Sequence, residues 1–496
     1  MNLKNLRVLI LSHNNIENLK PIESLNKLTT LDLRSNSIFD CKPIIPILKK
    51  RTQISVNQFD WENSINLYGN LLISPPIEII RNGNQAIIDY FSELDKQKSS
   101  KLYEAKFLIL GEGGAGKTTL AKKLQDENAD MPQASDTTKG IDIQPLDFKM
   151  KNGKNFRVNI WDFGGQEIYH ATHQFFLTKR SLYALVTDNR NEDTDFKYWL
   201  ETVELLSEKS PIFIVQNEKA ERTRNINLKG IRERFENLKD NFSANLKTNK
   251  GLEAIRKALE YHIQELPHIG DEWPLQWIEI RKALEKMENE GHAYISLEKY
   301  YEVCSQHKIP EKKRALFLSQ YLHDLGVFLH FQEDDLLRKT VILKNEWATD
   351  AVYKILDSKT IKDEKMGRFN EADLEELWTE SDYFEMKGEL LALMKKFEMC
   401  YELPDTRTKT WLAPQLLPPS QPDGYEWDDT NNLILRYKYR FMPKGLLNRF
   451  MVRQHDLIKE VDLAWKSGVI LESNNTKAEV VELYGQSEIR IRIKGE

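Results

Sequence analysis

Apolar positions change their period along this chain, and each change predicts a different kind of element. Near the start, Leu6, Leu9, Leu11 and Ile16 surround Asn14, and the set recurs as Leu28, Leu31, Leu33 and Ile38 around Asn36, a period of 22 residues. The spacing predicts a stack of short strands, each turning at an asparagine whose side chain satisfies backbone groups at the bend. Ile54 and Val56 read as a third, degraded copy, and Ile65, Leu67, Asn70 and Leu72 as another. Such units bury their apolar face on a neighbour, so two clean copies do not hold a solenoid alone. The array is either propped by later parts of the chain or short at its start. A helix is predicted at 84–94, with Ile87, Ile88, Phe91 and Leu94 on one face, and the polar run 96–100 reads as a linker.

From Tyr103, compact apolar runs alternate with amphipathic ones, the pattern of a mainly parallel α/β sheet. Strands are expected at 107–110, in a hairpin around 151–154, at 181–187 and at 211–216; helices at 195–208, 228–238 and 252–266, with Pro267 closing the unit. Beyond it, aromatic-rich amphipathic helices are expected at 273–288, 312–324 and 371–398, then a proline-rich break at 404–422. Leu433, Leu435, Tyr437, Tyr439 and Phe441 alternate with polar residues, as do Ile489, Ile491 and Ile493, which predicts half-buried strands of an antiparallel sheet.

Composition narrows the class. The chain has 496 residues, 40% hydrophobic and 30% charged, enough for several globular domains. A net charge of −5 gives no basic footprint for nucleic acid or an anionic membrane. Cys41, Cys304 and Cys400 form neither a disulfide framework nor a zinc motif, which suits a reducing compartment. No apolar run reaches the ~18 residues of a membrane helix, and residues 1–11 lack a signal-peptide layout. A soluble, cytoplasmic protein without an integral membrane segment is expected.

The chemistry centres on Gly111-Glu112-Gly113-Gly114-Ala115-Gly116-Lys117-Thr118-Thr119, which matches G-x-x-x-x-G-K-[ST] between a strand and a helix. Glycines let backbone N–H groups wrap a polyphosphate, and the helix points its positive end at the anion. Lys117 would reach the outer phosphates and Thr118 would ligate Mg²⁺. A strand over 156–161 then ends in Asp162-Phe163-Gly164-Gly165-Gln166, which resembles the Asp-x-x-Gly-Gln of Ras-like GTPases. By that match Asp162 holds Mg²⁺ through water, the Gly165 amide contacts the γ-phosphate, and Gln166 orients the attacking water. Thr137-Thr138-Lys139-Gly140 is similar to the first switch, with Thr138 adding a ligand to the metal and the γ-phosphate. The base-reading Asn-Lys-x-Asp is altered to Asn217-Glu218-Lys219-Ala220, where Ala220 replaces the aspartate that pairs with guanine and Glu218 or Glu221 could compensate from a shifted loop. Ser243-Ala244-Asn245 resembles the loop that offers an alanine amide to guanine O6, and reads equally as a strand-end turn. His170 and His173 fit packing better than catalysis, since phosphoryl transfer to water demands no histidine. Arg180 and Arg190 are candidates for an arginine finger or for surface ion pairs.

The early repeats, the run Ser74-Pro75-Pro76-Ile77-Glu78-Ile79-Ile80-Arg81-Asn82-Gly83-Asn84, the Ras-like motifs and the stretch from Gly165 to Leu177 together resemble the Roco family. The resemblance implies leucine-rich repeats over 1–82, a linker helix over 83–102, a P-loop Ras-like α/β domain (Roc) over 103–267, and an α+β COR region. COR divides into a mainly helical part, 268–422, and an antiparallel sheet, 423–496, which ends early. It further implies a Mg²⁺-dependent GTPase that cycles between GTP and GDP, forms a homodimer through COR, couples that dimer to nucleotide state, and binds a protein partner through the repeats. The nucleotide site would comprise Gly111, Gly113, Gly114, Ala115, Gly116, Lys117, Thr118, Thr119, Thr138, Gly165, Asn217, Lys219, Ser243 and Ala244, with Thr118, Thr138 and Asp162 on the metal and Lys117 and Gln166 in catalysis. Two rivals remain at this point: a nucleotide-bound scaffold without useful hydrolysis, and an ATPase switch carrying repeats.

Overall fold

The computed structural model describes residues 3–132, 140–164, 181–188, 196–207, 210–219 and 228–495, apart from positions 51, 61, 71, 73, 97–98, 267, 405 and 429. The N-terminal repeats form a parallel sheet of four short strands, β1 (Val8–Ile10), β2 (Thr30–Asp32), β3 (Gln53–Ser55) and β4 (Ser64–Asn66), in the order β1-β2-β4-β3. Asparagines tie the rungs together. Asn36 donates to Leu33 O at 3.0 Å and Leu11 O at 2.9 Å and accepts from Ile16 N–H, while Asn70 donates to Leu67 O and Leu33 O and accepts from Ile38 N–H. The strand containing Ile65 therefore stands third. The copy at Ile54, expected there from its period, lies outermost, because Asn70 completes the asparagine ladder next to Asn36 and no such residue follows Ile54 at the matching position.

This small stack does not stand alone. Its leucines share one continuous core with α1 (Asn84–Lys96) and with helices from far down the chain. The chain runs from α1 through β5 (Ser99–Lys101) into the central domain and comes back through β12 (Glu272–Pro274), which pairs antiparallel with β5. The expected linker is thus partly a strand. Leu102 and Asp271 extend the ladder by one bond at 2.9 Å, and Tyr90 of α1 donates to Glu272 O at 2.7 Å.

Between those two strands lies the central sheet. It contains β6 (Glu104–Leu110), β7 (Ile141–Lys149), β8 (Asn155–Phe163), β9 (Ser181–Asp188), β10 (Ile212–Asn217) and β11 (Leu238–Ala244), in the order β11-β10-β9-β6-β8-β7. All neighbours are parallel except the β7–β8 hairpin, which turns at Gly153 (φ +79°). β9 and β10 are buried along their whole length, as a strand covered on both faces must be. The helices are α2 (Lys117–Gln125), α3 (Phe196–Leu206), α4 (Leu228–Arg234) and α5 (Leu252–Gln264). The helix expected over 228–238 stops at Arg234, because Leu238 opens an edge strand, Leu-Lys-Asp-Asn-Phe-Ser-Ala, too polar to register as one.

After β12 come α6 (Leu275–Asn289), α7 (Leu297–Gln306), α8 (Lys312–Asp324) and α9 (Asn345–Leu356). Trp273, placed in a helix by its periodicity, is instead in β12. The helix expected over 371–398 is three: α10 (Glu371–Leu377), α11 (Ser381–Glu385) and α12 (Lys387–Lys396). Trp378 causes the first break, leaving helical geometry to bury its ring while its indole N–H donates to Ala351 O of α9 at 2.9 Å. The C-terminal sheet is antiparallel, as expected, with β13 (Leu433–Lys438) at its edge against β14 (Glu488–Lys494). β13 is not half-buried, however: all its residues are exposed, since it pairs on one side and no described residue covers either face.

The joint between α1, β12 and α6–α8 is aromatic. The ring of Trp277, 2% exposed, lies 5.3 Å from Tyr321, 6.0 Å from Tyr90, 6.1 Å from Phe317 and 6.3 Å from Trp273. Replacing Trp277 by Ala should cost about 3–5 kcal/mol. Because the core is shared, amide exchange should accelerate together in the repeats and in α6–α8; acceleration confined to α6–α8 would show two separate cores.

Candidate functional site

The glycine-rich loop joins the end of β6 to the start of α2. Two of its glycines are fixed by space. A Cβ on Gly111 (φ +138°) would lie 2.1 Å from Val186 O of β9, and one on Gly116 (φ +108°) 2.4 Å from Asn217 Nδ2. Gly113 and Gly114 are exposed at the mouth of the loop, Ala115 is buried below it, and Thr119 is buried in the first turn of α2.

Lys117 folds back over the loop and donates to Gly111 O at 3.0 Å and Glu112 O at 2.9 Å. Burial pushes its ammonium down to about 8, against the pull of Asp162 and Glu112 and with the repulsion of Lys219. β8 lies beside β6 and carries Asp162 to the loop, where Thr118 Oγ1 donates to its carboxylate at 2.5 Å. A hydroxyl and a carboxylate at a helix start, facing a loop in which Gly111 and Gly116 leave no room for a Cβ, are a donor set that fits Mg²⁺ beside a polyphosphate.

The base-side residues arrive from β10 and β11. Asn217 donates to Ala115 O at 3.0 Å and accepts from Leu246 N–H at 3.4 Å, which ties this strand end to the loop floor. Ala244 is buried beside Asn217 in register, and Ser243 is exposed one step earlier. Lys219 reaches Gly114 O at 2.5 Å and lies 3.7 Å from Asp188. Glu218 turns away: its carboxylate pairs with Lys250 at 3.3 Å, and Asn245 caps its carbonyl at 3.0 Å. A bond from Lys219 N–H to Asn217 O at 3.0 Å makes a tight turn around Glu218.

Thr138, Gly165, Gln166, Ala220, Glu221, His170, His173, Arg180 and Arg190 lie outside the described residues. Two contacts were not anticipated. Asp188 ends β9 beside Asn217 and is buried at 5% exposure, a strand-end acid that could have been flagged from sequence. The other is tertiary. Gly140, just after the first-switch threonines, packs on α9, where a Cβ would sit 2.7 Å from the Tyr353 ring and 3.2 Å from Asp350 Oδ1. Ile143 N–H donates to the Glu346 carboxylate of the same helix, and burial raises that carboxyl; Asp350 is pushed up to about 6 by burial, with Lys354 opposing and Asp142 adding repulsion. Gly164 N–H, at the start of the second switch motif, bonds to Gly140 O at 2.8 Å.

Comparison with known proteins matches four families in order along the chain. They are leucine-rich repeats over residues 4–44, "Ras of Complex, Roc, domain of DAPkinase" over 106–220, "C-terminal of Roc, COR-A domain" over 274–417, and "C-terminal of Roc, COR-B domain" over 430–496. A Roc-COR-CHAT protease of Runella zeae is 28% identical over 468 residues, covering 88% of this chain and 49% of that one. A probable serine/threonine-protein kinase, pats1, of Dictyostelium discoideum is 28% identical over 447 residues, covering 82% of this chain and 14% of that one. The chain thus spans about half or less of the length of these relatives. Among solved structures, the GDP-bound RocCORdC of Methanosarcina barkeri Roco2 is 37% identical, covers 65% of this chain and 98% of that one, and superposes with a TM-score of 0.55.

The state of Lys117 generates a pH prediction. Its pKa in the nucleotide-free protein lies below that of an ordinary lysine, and a phosphate placed against it would restore the ordinary value. Between those values binding takes up a proton, so triphosphate affinity should fall as pH rises above about 8. Calorimetry in buffers of different ionisation enthalpy should show net proton uptake at pH 8–9, and Lys117→Met should abolish it; equal uptake in the variant would assign the proton elsewhere.

Proposed function

The chain belongs to the Roco family, and from that premise we propose that it is a Mg²⁺-dependent switch that binds and hydrolyses GTP, leaving GDP and phosphate. One observation carries the reading: Lys117, Thr118, Asp162 and Asn217, drawn from three separate stretches, converge on one glycine cradle. Lys117 and the loop amides hold the phosphate charge, and Thr118 and Asp162 hold the metal, with Thr138 as the further ligand. Bound Mg²⁺ supplies neutralisation of charge on the β- and γ-oxygens. Gln166 orients water and Gly165 meets the γ-phosphate; both roles come from the Ras-like match.

Guanine selectivity fits the chain better than Ala220 alone suggests. In Asn-Lys-x-Asp the acid stands two places after the lysine. Lys219, one place late, lies over the loop carbonyl, and Glu218 is the extra residue turned toward Lys250. Counted from Lys219, the acid is Glu221, which we assign as the base reader. A charge-assisted hydrogen bond contributes about 1.5–3 kcal/mol. Glu221→Gln should therefore weaken GTP against ATP by one to two orders of magnitude, whereas Ala220→Asp should leave discrimination nearly unchanged. Competition of ATP and ITP against labelled GDP reads both; sharper selectivity in Ala220→Asp would restore Ala220 as the vacant reader.

Homodimerisation through COR, coupled to nucleotide state, belongs to the same proposal, as does partner binding through the repeats and the division of the chain at 82, 102, 267 and 422. Support for the coupling is the seat of Gly140 and Ile143 on α9. A coupling free energy of about 1–3 kcal/mol is typical. Sedimentation should give dimer constants that differ about five-fold or more between GDP and a non-hydrolysable GTP analogue. Equal constants would remove the coupling, and turnover no faster than the buffer background would leave a nucleotide-bound scaffold.

A further inference from the structure

A cavity of about 740 Å³ lies between the central sheet and the helices C-terminal to it, at the N-terminal end of β6, away from the phosphate loop. Its size is that of a small-ligand site, about 300–1,000 Å³. Most of its charges are matched. Glu104 accepts from Arg281 and from Asn159 (2.6 Å), and Glu285 accepts from Arg281 (2.9 Å) and faces Arg157 at 3.9 Å.

Three lining groups are not matched. Lys106 of β6 points the same way as Leu108 and Leu110, yet carries a charge where they carry core. Its ammonium lies 4.8 Å over the Trp161 ring, burial pushes it down to about 8 with only the more distant Glu104 favouring its charge, and no carboxylate of the described residues pairs with it within 4 Å. It spans the gap to the opposite wall, where a Cβ on Gly326 would be 1.9 Å from Lys106 Nζ. On that wall Glu288 of α6 also has no ion-pair partner among the described residues, and burial with repulsion from Glu346 pushes its carboxyl up to about 7 while Lys344 opposes. Asn345 is buried at 4% exposure, its Nδ2 donates to Gly326 O at 3.4 Å, and its Oδ1 has no hydrogen-bond partner among the described residues. A joint built only for packing would be more stable with apolar groups here, since a buried unpaired charge or acceptor is costly.

We propose that this cavity binds a small zwitterionic aminocarboxylate, whose carboxylate takes Lys106 above Trp161 and whose amine donates to Glu288 and Asn345. A plain anion would meet Glu288 and Glu346 uncompensated, and a plain cation would meet Lys106. A ligand carrying both signs answers all three groups and bridges the two walls. The site does not rest on the GTPase reading, as it shares no residue with the phosphate loop.

The test uses the full chain with free L-amino acids, one at a time, and acetate and methylamine as single-charge controls, read by thermal shift and calorimetry. At least one amino acid should raise the melting temperature and bind saturably, while acetate and methylamine shift it little. Lys106→Met and Glu288→Gln should each weaken that binding about tenfold or more, the loss of one charge-assisted contact. Glu288→Gln changes only the wall formed by α6, so it serves if Lys106→Met folds poorly. Fluorescent GDP binding, measured in parallel, should be unchanged in both. No binding by any amino acid, undiminished binding in the folded variants, a shift by acetate as large as by any amino acid, or a crystal soaked in amino acid with only water in the cavity would each overturn the proposal.

Discussion

Both connections of the Roc domain run through one ladder, Ser99–Lys101 against Glu272–Pro274, and the arrangement of the other domains depends on it. A domain inserted through two adjacent strands leaves the chain before it and the chain after it side by side. That places α1 against β12 and lets Tyr90, Trp273, Trp277 and Tyr321 form one aromatic cluster. The same proximity supplies the repeats with the apolar partner they lack. A stack of four three-residue strands has too little interior to be stable alone, and it becomes the flank of a larger core.

Held at one point, the Roc domain meets the COR helices through a second contact whose composition differs. The ladder joint is aromatic, whereas the contact of β7 with α9 is mixed, with Tyr353 on Gly140 and carboxylates Asp142, Glu346 and Asp350 close together. Raised carboxyl pKa values mark a contact that strains to exclude water from charge. Aromatic packing of this extent resists change, while a charged contact with an adjoining cavity can rearrange at small cost. The end of β7 nearest the glycine-rich loop is therefore seated on the charged joint and not on the aromatic one.

The nucleotide cradle illustrates a different constraint, close approach. Gly111 and Gly116 are required by the carbonyl of Val186 and the amide of Asn217, not by a turn alone. Those neighbours come from β9 and β10, so the loop geometry depends on strand order: β6 lies between β9 and β8, with Asp162 on one side and Asn217 beyond the other. Lys117 and Lys219 then cap loop carbonyls from opposite ends.

What the sequence determined by itself was local chemistry: the glycine-lysine loop between a strand and a helix, the asparagine-punctuated repeat, the β7–β8 hairpin, and the order of the domains. These are legible because each is encoded within a short run whose spacing matches a period or a motif. Tertiary structure decided the rest. The order of β3 and β4 depends on which asparagine completes a ladder; the edge strand β11 is too polar to show alternation; the 371–398 helix breaks because the Trp378 indole finds Ala351 O on another helix. β13 alternates like a half-buried strand but has no described residue over it, since periodicity records which side chains share a face and not whether that face is covered. Lys219 was named from the motif, but its contact with the Gly114 carbonyl and the turning of Glu218 toward Lys250 were not legible, because these residues become neighbours only when β10 and β11 lie side by side.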